Sequence, residues 1–223
     1  MRIRYLSNTE NILAASRLLV RDPEAMRGQW RTLCPEAKAL ALEIGCGKGR
    51  FVREMAKLHA DMLLLGVEKF STILARAIMN NEEDENIPAN LRLIRSDALD
   101  LDEAFADGEL DRIYLNFSDP WPKDRHAKRR LTSDRFLPLY ARWLKPGGEL
   151  HFKTDNDTLF AWSVESLRSG GWDLKLVTND WHACPQQEGD VMTEYEIQFS
   201  EQGKKINKLT AVFSGAEGPS AER

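Results

Sequence analysis

The sequence has few cysteines and histidines, the residues that stabilise a fold through disulfide bonds or bound metal. Its 223 residues include only three cysteines, Cys34, Cys46 and Cys184, and none is paired at Cys-x-x-Cys spacing. This excludes a disulfide framework and a cysteine-rich zinc site. The four histidines are equally scattered, so we predict no bound metal. A single domain of this length buries enough apolar surface to fold without such staples.

Long apolar runs are also lacking. No segment approaches the roughly 20 apolar residues that a membrane-spanning helix needs. The N-terminal residues, Met-Arg-Ile-Arg-Tyr, have no signal-peptide core. We therefore expect a cytoplasmic protein with no membrane contact.

An excess of positive charge is missing as well, since the formal net charge is −4. Acidic residues are concentrated at 82–85 and 100–111, however, whereas basic residues are concentrated at 123–130. Binding to nucleic acid depends on the local field rather than on the summed charge. The net charge therefore does not exclude a nucleic-acid partner.

Short apolar runs alternate with amphipathic helical patterns, which predicts βαβ units and a parallel sheet. Two final runs have no helical pattern between them, which predicts an antiparallel pair at the sheet edge. We expect an α/β fold of the class I methyltransferase type: a seven-stranded, mostly parallel sheet with an antiparallel edge strand and helices on both faces. The predicted strands are 39–44, 62–67, 91–95, 111–117, 149–154, 172–177 and 195–199.

The clearest helical pattern follows Ser133, which we predict to be its N-cap, and Pro146-Gly147-Gly148 ends it. We divide the chain into an N-terminal extension at 1–37 that packs on the same domain, a main domain at 38–214 and a mobile tail at 215–223.

Three glycines, in Gly45-Cys46-Gly47-Lys48-Gly49, lie where the first main strand should turn into a helix. Glycines there let a ligand approach the backbone at the sheet edge where α/β folds bind ligands. A dinucleotide site is less favoured, because Arg50 occupies its third small position. The carboxylates of Glu43, Glu68 and Asp97 instead suit S-adenosylmethionine, whose sulfonium and ammonium groups are cationic.

The segment 116–131, Asn-Phe-Ser-Asp-Pro-Trp-Pro-Lys-Asp-Arg-His-Ala-Lys-Arg-Arg-Leu, follows the fourth main strand. Prolines on both sides of Trp121 stiffen the loop. A stiff loop can hold Asp119 and an aromatic face in place, and the basic residues after it can neutralise phosphates. Other interpretations remain open: Trp121 in the core, and the basic run as a solvated helix start.

The chain resembles the bacterial tRNA (guanine-N7-)-methyltransferases. The resemblance runs from about residue 28 to about residue 209 and rests on five motifs, at 43–49, 66–69, 116–131, 152–156 and 193–196. Some family members have proline at the position of Ser118. Past Gly203 the chain departs from the family, because Lys204-Lys205-Ile206-Asn207-Lys208 is unusually basic.

This resemblance implies methyl transfer from S-adenosylmethionine to N7 of the variable-loop guanine, position 46, of tRNA. Asp119 is expected to be the catalytic residue. The expected cofactor site comprises Glu43, Gly45, Gly47, Glu68, Asp97, Asn116 and Asp119. The expected guanine contacts are Lys123, Asp155, Thr193, Tyr195 and Glu196. The expected RNA contacts are Asp124, Arg125, His126, Ala127, Lys128 and Arg129.

The chemistry of guanine agrees with these roles. N7 has a free lone pair, so methylation needs positioning rather than a general base. Carboxylates of Asp119, Asp155 and Glu196 can accept hydrogen bonds from the N1–H and the amine of guanine. Trp121 can stack on a displaced base. Asp155 as a helix N-cap and Thr193–Glu196 as plain polar strand residues remain alternatives.

Methyl transfer to a small molecule is disfavoured, because it would need no basic cluster beside the pocket. Two other functions also fit the same motifs less well. One is another base-directed RNA or DNA methyltransferase, such as an adenine-amine enzyme, but these carry a proline pair that Ser118-Asp119-Pro120-Trp121 lacks. The other is a non-catalytic cofactor- and RNA-binding subunit, for which a broken glycine turn would be expected. Whether the protein is a monomer or a homodimer is left open.

Overall fold

The computed structural model describes residue 6 and residues 8–82, 87–185 and 190–214. The predicted tail at 215–223 lies outside the described residues. Six helices are described: α1 Thr9–Ala15, α2 Arg50–Leu58, α3 Ser71–Glu82, α4 Leu137–Trp143, α5 Asp157–Ser169 and α6 Glu194–Glu201. The strands are β1 Leu19–Val20, β2 Ala39–Ile44, β3 Met62–Glu68, β4 Leu91–Arg95, β5 Leu110–Asn116, β6 Leu144–Thr154, β7 Trp172–Thr178 and β8 Asn207–Phe213.

The strands form one sheet in the order β1-β4-β3-β2-β5-β6-β8-β7. Strands β1 to β6 pair in parallel, and β8 is antiparallel to both β6 and β7. Reversal of strand order about β2 places the ends of β2 and β5 side by side at a switch point, where such sheets bind ligands. The expected fold class is confirmed, with eight strands instead of seven because the two-residue β1 extends one edge.

The prediction of a strand at 195–199 was wrong. These residues lie in α6, and the antiparallel strand is β8, further along the chain. Thr193 begins α6 with a capping box: its side chain accepts from the backbone N–H of Glu196, and the Glu196 side chain accepts from the backbone N–H of Thr193. The Thr-x-x-Glu spacing is a sequence signal for a helix start. The alternating Tyr195, Ile197 and Phe199 obscured it.

Apolar side chains cover both faces of the sheet. In β2, Leu40 and Leu42 pack in one core with residues of α4 and α5, whereas Ala41 packs in a second core with residues of α1, α2 and α3. Helices on both faces are thereby confirmed. Within the first 37 residues, Leu13 and Leu18 join the second core and Trp30 the first. The predicted boundary after residue 37 stays a prediction.

The Ser133 N-cap was also predicted wrongly. Helix α4 begins at Leu137, and its N-cap position is Phe136. The Ser133 hydroxyl instead donates to the carbonyl oxygen of Lys128 at 3.2 Å. A series of tight turns over residues 131–136 therefore precedes the helix, and one hydroxyl in the sequence could not distinguish a turn from a cap.

Across the described part of the chain, every helix is too short or too polar to span a bilayer. No cluster of three or more potential metal ligands occurs among those same residues.

Candidate active site

The glycine turn between β2 and α2 opens onto the switch point of the sheet. The backbone N–H groups of Gly45 and Cys46 both donate to the carbonyl oxygen of Val67, at 2.8 and 2.9 Å, which fixes the turn against the end of β3. Gly45 and Gly47 have positive φ angles of 82° and 56°, and a Cβ atom at either position would point into open space. The turn therefore leaves room beside its backbone for a ligand.

Glu43 lies beneath this turn, at the end of β2, and is only 2% exposed. Its Oε1 accepts a hydrogen bond from Nδ2 of Asn116 at 2.8 Å. No described residue hydrogen-bonds to its buried Oε2. Burial raises the pKa of Glu43 to about 8, against the opposing effects of Asn116 and Lys153. A cationic ligand group beside Glu43 would favour the ionised carboxylate, whose Oε2 could then accept from it.

Two further carboxylates lie along the same edge. Glu68 ends β3, and its Oε1 accepts from the backbone N–H of Phe70 at 2.9 Å. Burial raises the pKa of Glu68, while backbone N–H groups oppose that shift. Asp97, after β4, accepts from the N–H of Leu99 at 3.2 Å and lies 3.9 Å from Lys69 Nζ. Three predicted cofactor carboxylates thus lie at the carboxyl ends of three adjacent strands.

The loop after β5 contains backbone that few residues adopt. Phe117 and Trp121 have positive φ angles of 51° and 41°, which carry strain in residues with a large side chain. Buried Arg130 holds the loop, donating to the carbonyl oxygens of Pro120 and Trp121 at 3.2 and 3.1 Å. Asp119, between the strained residues, is exposed. The loop therefore presents Asp119 to solvent on a fixed backbone.

The predicted RNA-contact residues form a short 3-10 helix, Asp124–Arg129, at the surface. Of its predicted contacts, His126 and Ala127 are half-buried and the other four are exposed, as is Lys123. The Arg129 guanidinium lies 4.9 Å from the ring centre of Trp121, and the His126 ring is perpendicular to the indole with the ring centroids 5.7 Å apart. Trp121 is half-buried at this surface rather than in the core. Its stacking on a base stays a prediction.

Helix α6 lies against the site through a buried ionic cluster. Lys153, at 2% exposure, donates to Asp190, to Glu196 Oε2 at 3.0 Å and to the carbonyl oxygen of Val191. Glu196 is fully buried, and its Oε1 lies 2.9 Å from Nε2 of His182. Glu196 therefore has protein partners on both oxygens. Its predicted contact with guanine stays a prediction.

The start of α6 also contacts the glycine turn. Lys48 Nζ lies 3.0 Å from Glu194 Oε2, and Arg50 donates to the carbonyl oxygen of Met192 at 3.3 Å. Thr193 is buried as the N-cap, whereas Tyr195 is exposed and stacks with Phe117 at a centroid distance of 6.4 Å. These contacts bring the segment 192–196 to both predicted ligand loops.

Sequence reasoning missed several residues that shape this site. Lys153 and Asp190 were not singled out, although a lysine between Phe152 and Thr154 in a buried strand is a signal for a paired charge. Arg130 was grouped with the basic run after the loop and was not expected to be buried. Asp155 is not the N-cap of α5, because Asn156 is: its side chain accepts from the backbone N–H of Leu159. The Asp155 carboxylate instead pairs with Lys204.

Replacing Lys153 with methionine is expected to lower the free energy of unfolding by about 3–5 kcal/mol, because it leaves the fully buried Glu196 without the lysine that pairs with it. Urea unfolding at neutral pH measures the change. Lys175→Met is the control, since Lys175 pairs with Asp173 at the surface with both side chains about half exposed, and such pairs contribute about 0–1 kcal/mol. Equal losses in the two variants would contradict the role of Lys153.

Comparison with known proteins agrees with this geometry. A family model described as "Putative methyltransferase" matches residues 37–209. Solved methyltransferases share the fold: the 16S rRNA methyltransferase KamB, with a TM-score of 0.61 and 14% identity, covers 84% of this chain and 94% of its own. The antibiotic-resistance methyltransferase Kmr has a TM-score of 0.59 and 18% identity, covering 85% and 93%. The protein therefore has the class I methyltransferase fold and belongs to a methyltransferase family.

Proteins of similar sequence show which methyltransferase family this is. The tRNA (guanine-N(7)-)-methyltransferase of Lachnoclostridium phytofermentans is 44% identical over 211 residues, covering 95% of this chain and 98% of the relative. The enzyme of the same name from Geobacillus thermodenitrificans is 46% identical over 203 residues, covering 91% and 93%. The chain belongs to the tRNA (guanine-N(7)-)-methyltransferase family.

Proposed function

We propose that this protein transfers a methyl group from S-adenosylmethionine to N7 of the variable-loop guanine, position 46, of tRNA. The observation that carries the proposal is the 2.8 Å hydrogen bond between Glu43 and Asn116. It joins the end of β2, where the glycine turn starts, to the end of β5, where the Asp119 loop starts. The cofactor loop and the loop proposed to hold the base are therefore immediate neighbours.

The residues at the glycine turn fit S-adenosylmethionine. The cofactor supplies a methyl group on a cationic sulfonium and also carries an ammonium group. The partnerless Oε2 of Glu43 and the open space at Gly45 and Gly47 would accommodate the cationic amino acid end. Glu68 and Asp97, at the carboxyl ends of the next two strands, would hold the nucleoside end. A pyrophosphate cofactor is disfavoured by the same acidic lining.

Guanine would be held by acceptor groups. Asp119 is exposed on its rigid loop, and Asp155 follows β6, the strand next to β5. Ionised carboxylates only accept hydrogen bonds, whereas the Watson–Crick edge of guanine offers two donors, N1–H and the amine. Adenine offers no donor at N1, so this pair favours guanine. N7 attacks through its own lone pair, and the proposed mechanism assigns no residue to remove a proton.

The tRNA backbone would lie on the basic 3-10 helix. Arg125, Lys128 and Arg129 are exposed beside Trp121, so cationic and aromatic groups share one surface next to the Asp119 loop. Arginine and lysine at such a surface neutralise phosphates, which makes affinity salt-dependent. The proposal also places the protein in the cytoplasm, with its tRNA substrate.

Incubation of the purified protein with unmodified tRNA and radiolabelled methyl donor tests the proposal. We expect label in 7-methylguanosine, at one site per tRNA, and none in a matched transcript in which guanine 46 is replaced by adenine. Label in any other nucleoside would favour another base-directed methyltransferase. Absence of label, with intact cofactor binding, would favour the non-catalytic subunit. Either result would overturn the proposed function.

A further inference from the structure

The basic segment after α6 places Lys204 against the proposed guanine site. Its backbone is fixed by the end of the helix: the N–H of Lys204 donates to Phe199 O at 3.0 Å, and the N–H of Gly203 donates to Ser200 O at 2.9 Å. Gly203 has a φ angle of 74°, which completes a Schellman motif. The Lys204 side chain therefore leaves a defined backbone position.

This side chain lies on an aromatic surface and ends at Asp155. Lys204 Nζ is 4.4 Å from the ring centre of Phe199 and 2.9 Å from Asp155 Oδ2. The Phe199 ring contacts the rings of Phe117 and Tyr195, at centroid distances of 6.0 and 6.3 Å. Phe117 begins the Asp119 loop. The ammonium group is thus at the acceptor proposed for guanine, on the side of the loop that would hold the base.

Two carboxylates of the site differ in how readily they can change partner. The Lys153–Glu196 pair has side-chain exposures of 3% and 0%, so removing either partner would leave a buried charge. The Lys204–Asp155 pair has exposures of 48% and 20%. Pairs open to solvent are weak, because water and salt replace the lost partner. Asp155 is therefore the carboxylate that can exchange a protein cation for a base.

We propose that Lys204 occupies the guanine-binding oxygen of Asp155 in the free enzyme and moves to a tRNA phosphate when the guanine binds. The inference rests on the proposed function and assigns a role to a segment outside the family motifs. The N1–H and amine of guanine and the ammonium of Lys204 compete for the same acceptor. Four rotatable bonds let the displaced ammonium reach the nucleic-acid backbone, where it is attracted to phosphate.

The proposal predicts opposite effects of Lys204→Gln on two ligands. Guanosine has no phosphate, so removal of the competing ammonium should make it a stronger competitive inhibitor, with a severalfold lower inhibition constant. Full-length tRNA loses a phosphate contact, so its KM should rise severalfold and the salt dependence of log KM should weaken by about one. The cofactor KM should stay unchanged.

Lys205→Gln is the matched control. It removes the same charge one residue away, where Lys205 pairs with Asp180 at 3.0 Å and is 73% exposed. We expect guanosine inhibition and tRNA KM within twofold of the parent protein. The proposal would be overturned if guanosine had the same inhibition constant for the parent and Lys204→Gln proteins, or if it inhibited neither. Weaker binding of both guanosine and tRNA to Lys204→Gln would also overturn it. So would equal effects of Lys204→Gln and Lys205→Gln.

These outcomes are separate from failure of the proposed function. If the parent protein places no label in 7-methylguanosine, the proposed function is wrong. If the parent does so and Lys204→Gln behaves like Lys205→Gln, the function stands and only the exchange of partners is refuted.

Discussion

Asp119→Ala is expected to lower kcat/KM for tRNA by roughly a hundredfold or more while the protein keeps its fold. A charge-assisted hydrogen bond contributes about 1.5–3 kcal/mol, and misplacement of a reacting base costs a further factor of about 100. Asp119 is exposed and lies outside the apolar core, so the free energy of unfolding should change little. Steady-state methylation of unmodified tRNA and urea unfolding measure the two effects.

Asp134→Ala provides the matched control, since Asp134 is another exposed aspartate, in the turns before α4. We expect its kcat/KM to stay within twofold of the parent value. Asp119→Asn separates charge from shape, because the amide keeps the size of the side chain but offers only one acceptor oxygen. Near-normal turnover of Asp119→Ala would remove Asp119 from the mechanism.

Much of the fold could be predicted, because each strand and helix of a parallel βαβ unit has its own hydrophobic pattern in the sequence. Buried strands such as Met62–Glu68 are continuous apolar runs bounded by turns, and the structure places them accordingly. The C-terminal part could not be predicted this way. Strand β8 contains Lys208, whose ammonium is buried beside Asp190 and over the ring of Trp181 at 3.5 Å. A segment that contains a charged residue is assigned to a loop rather than a buried strand unless the partners of the charge are known.

The backbone of the proposed site could be predicted where glycine or proline in the sequence constrains the local conformation. The glycines at 45 and 47 do adopt positive φ angles, and the loop after β5 is held in strained backbone, as stiff loops at functional sites often are. Pairings between distant residues were not predictable. Glu196 carries the same carboxylate as Asp155, yet one is fully buried against Lys153 and the other is paired at the surface with Lys204. Only the fold determines which carboxylate is available.

Glu43→Gln is expected to have opposite effects on stability and on cofactor binding. In the folded parent protein Glu43 keeps its proton up to a pKa of about 8, whereas the unfolded side chain loses it near 4.5. Between these values the folded state binds more protons, so stability falls as pH rises. Glutamine cannot ionise. The variant should therefore match the parent near pH 5 and exceed it by on the order of a few kcal/mol near pH 8.5.

Cofactor binding should change in the other direction. A cationic ligand stabilises ionised Glu43, so binding to the parent protein releases a proton below pH 8, and affinity should increase from pH 6 to pH 8 before levelling off. Loss of the charged acceptor should weaken binding of S-adenosylhomocysteine to Glu43→Gln by about ten- to a hundredfold and abolish this pH dependence. Calorimetry in two buffers of different ionisation enthalpy measures both affinity and proton release. Proton release that persists in Glu43→Gln would assign the titration to another group and contradict the role of Glu43 as the acceptor for the cation.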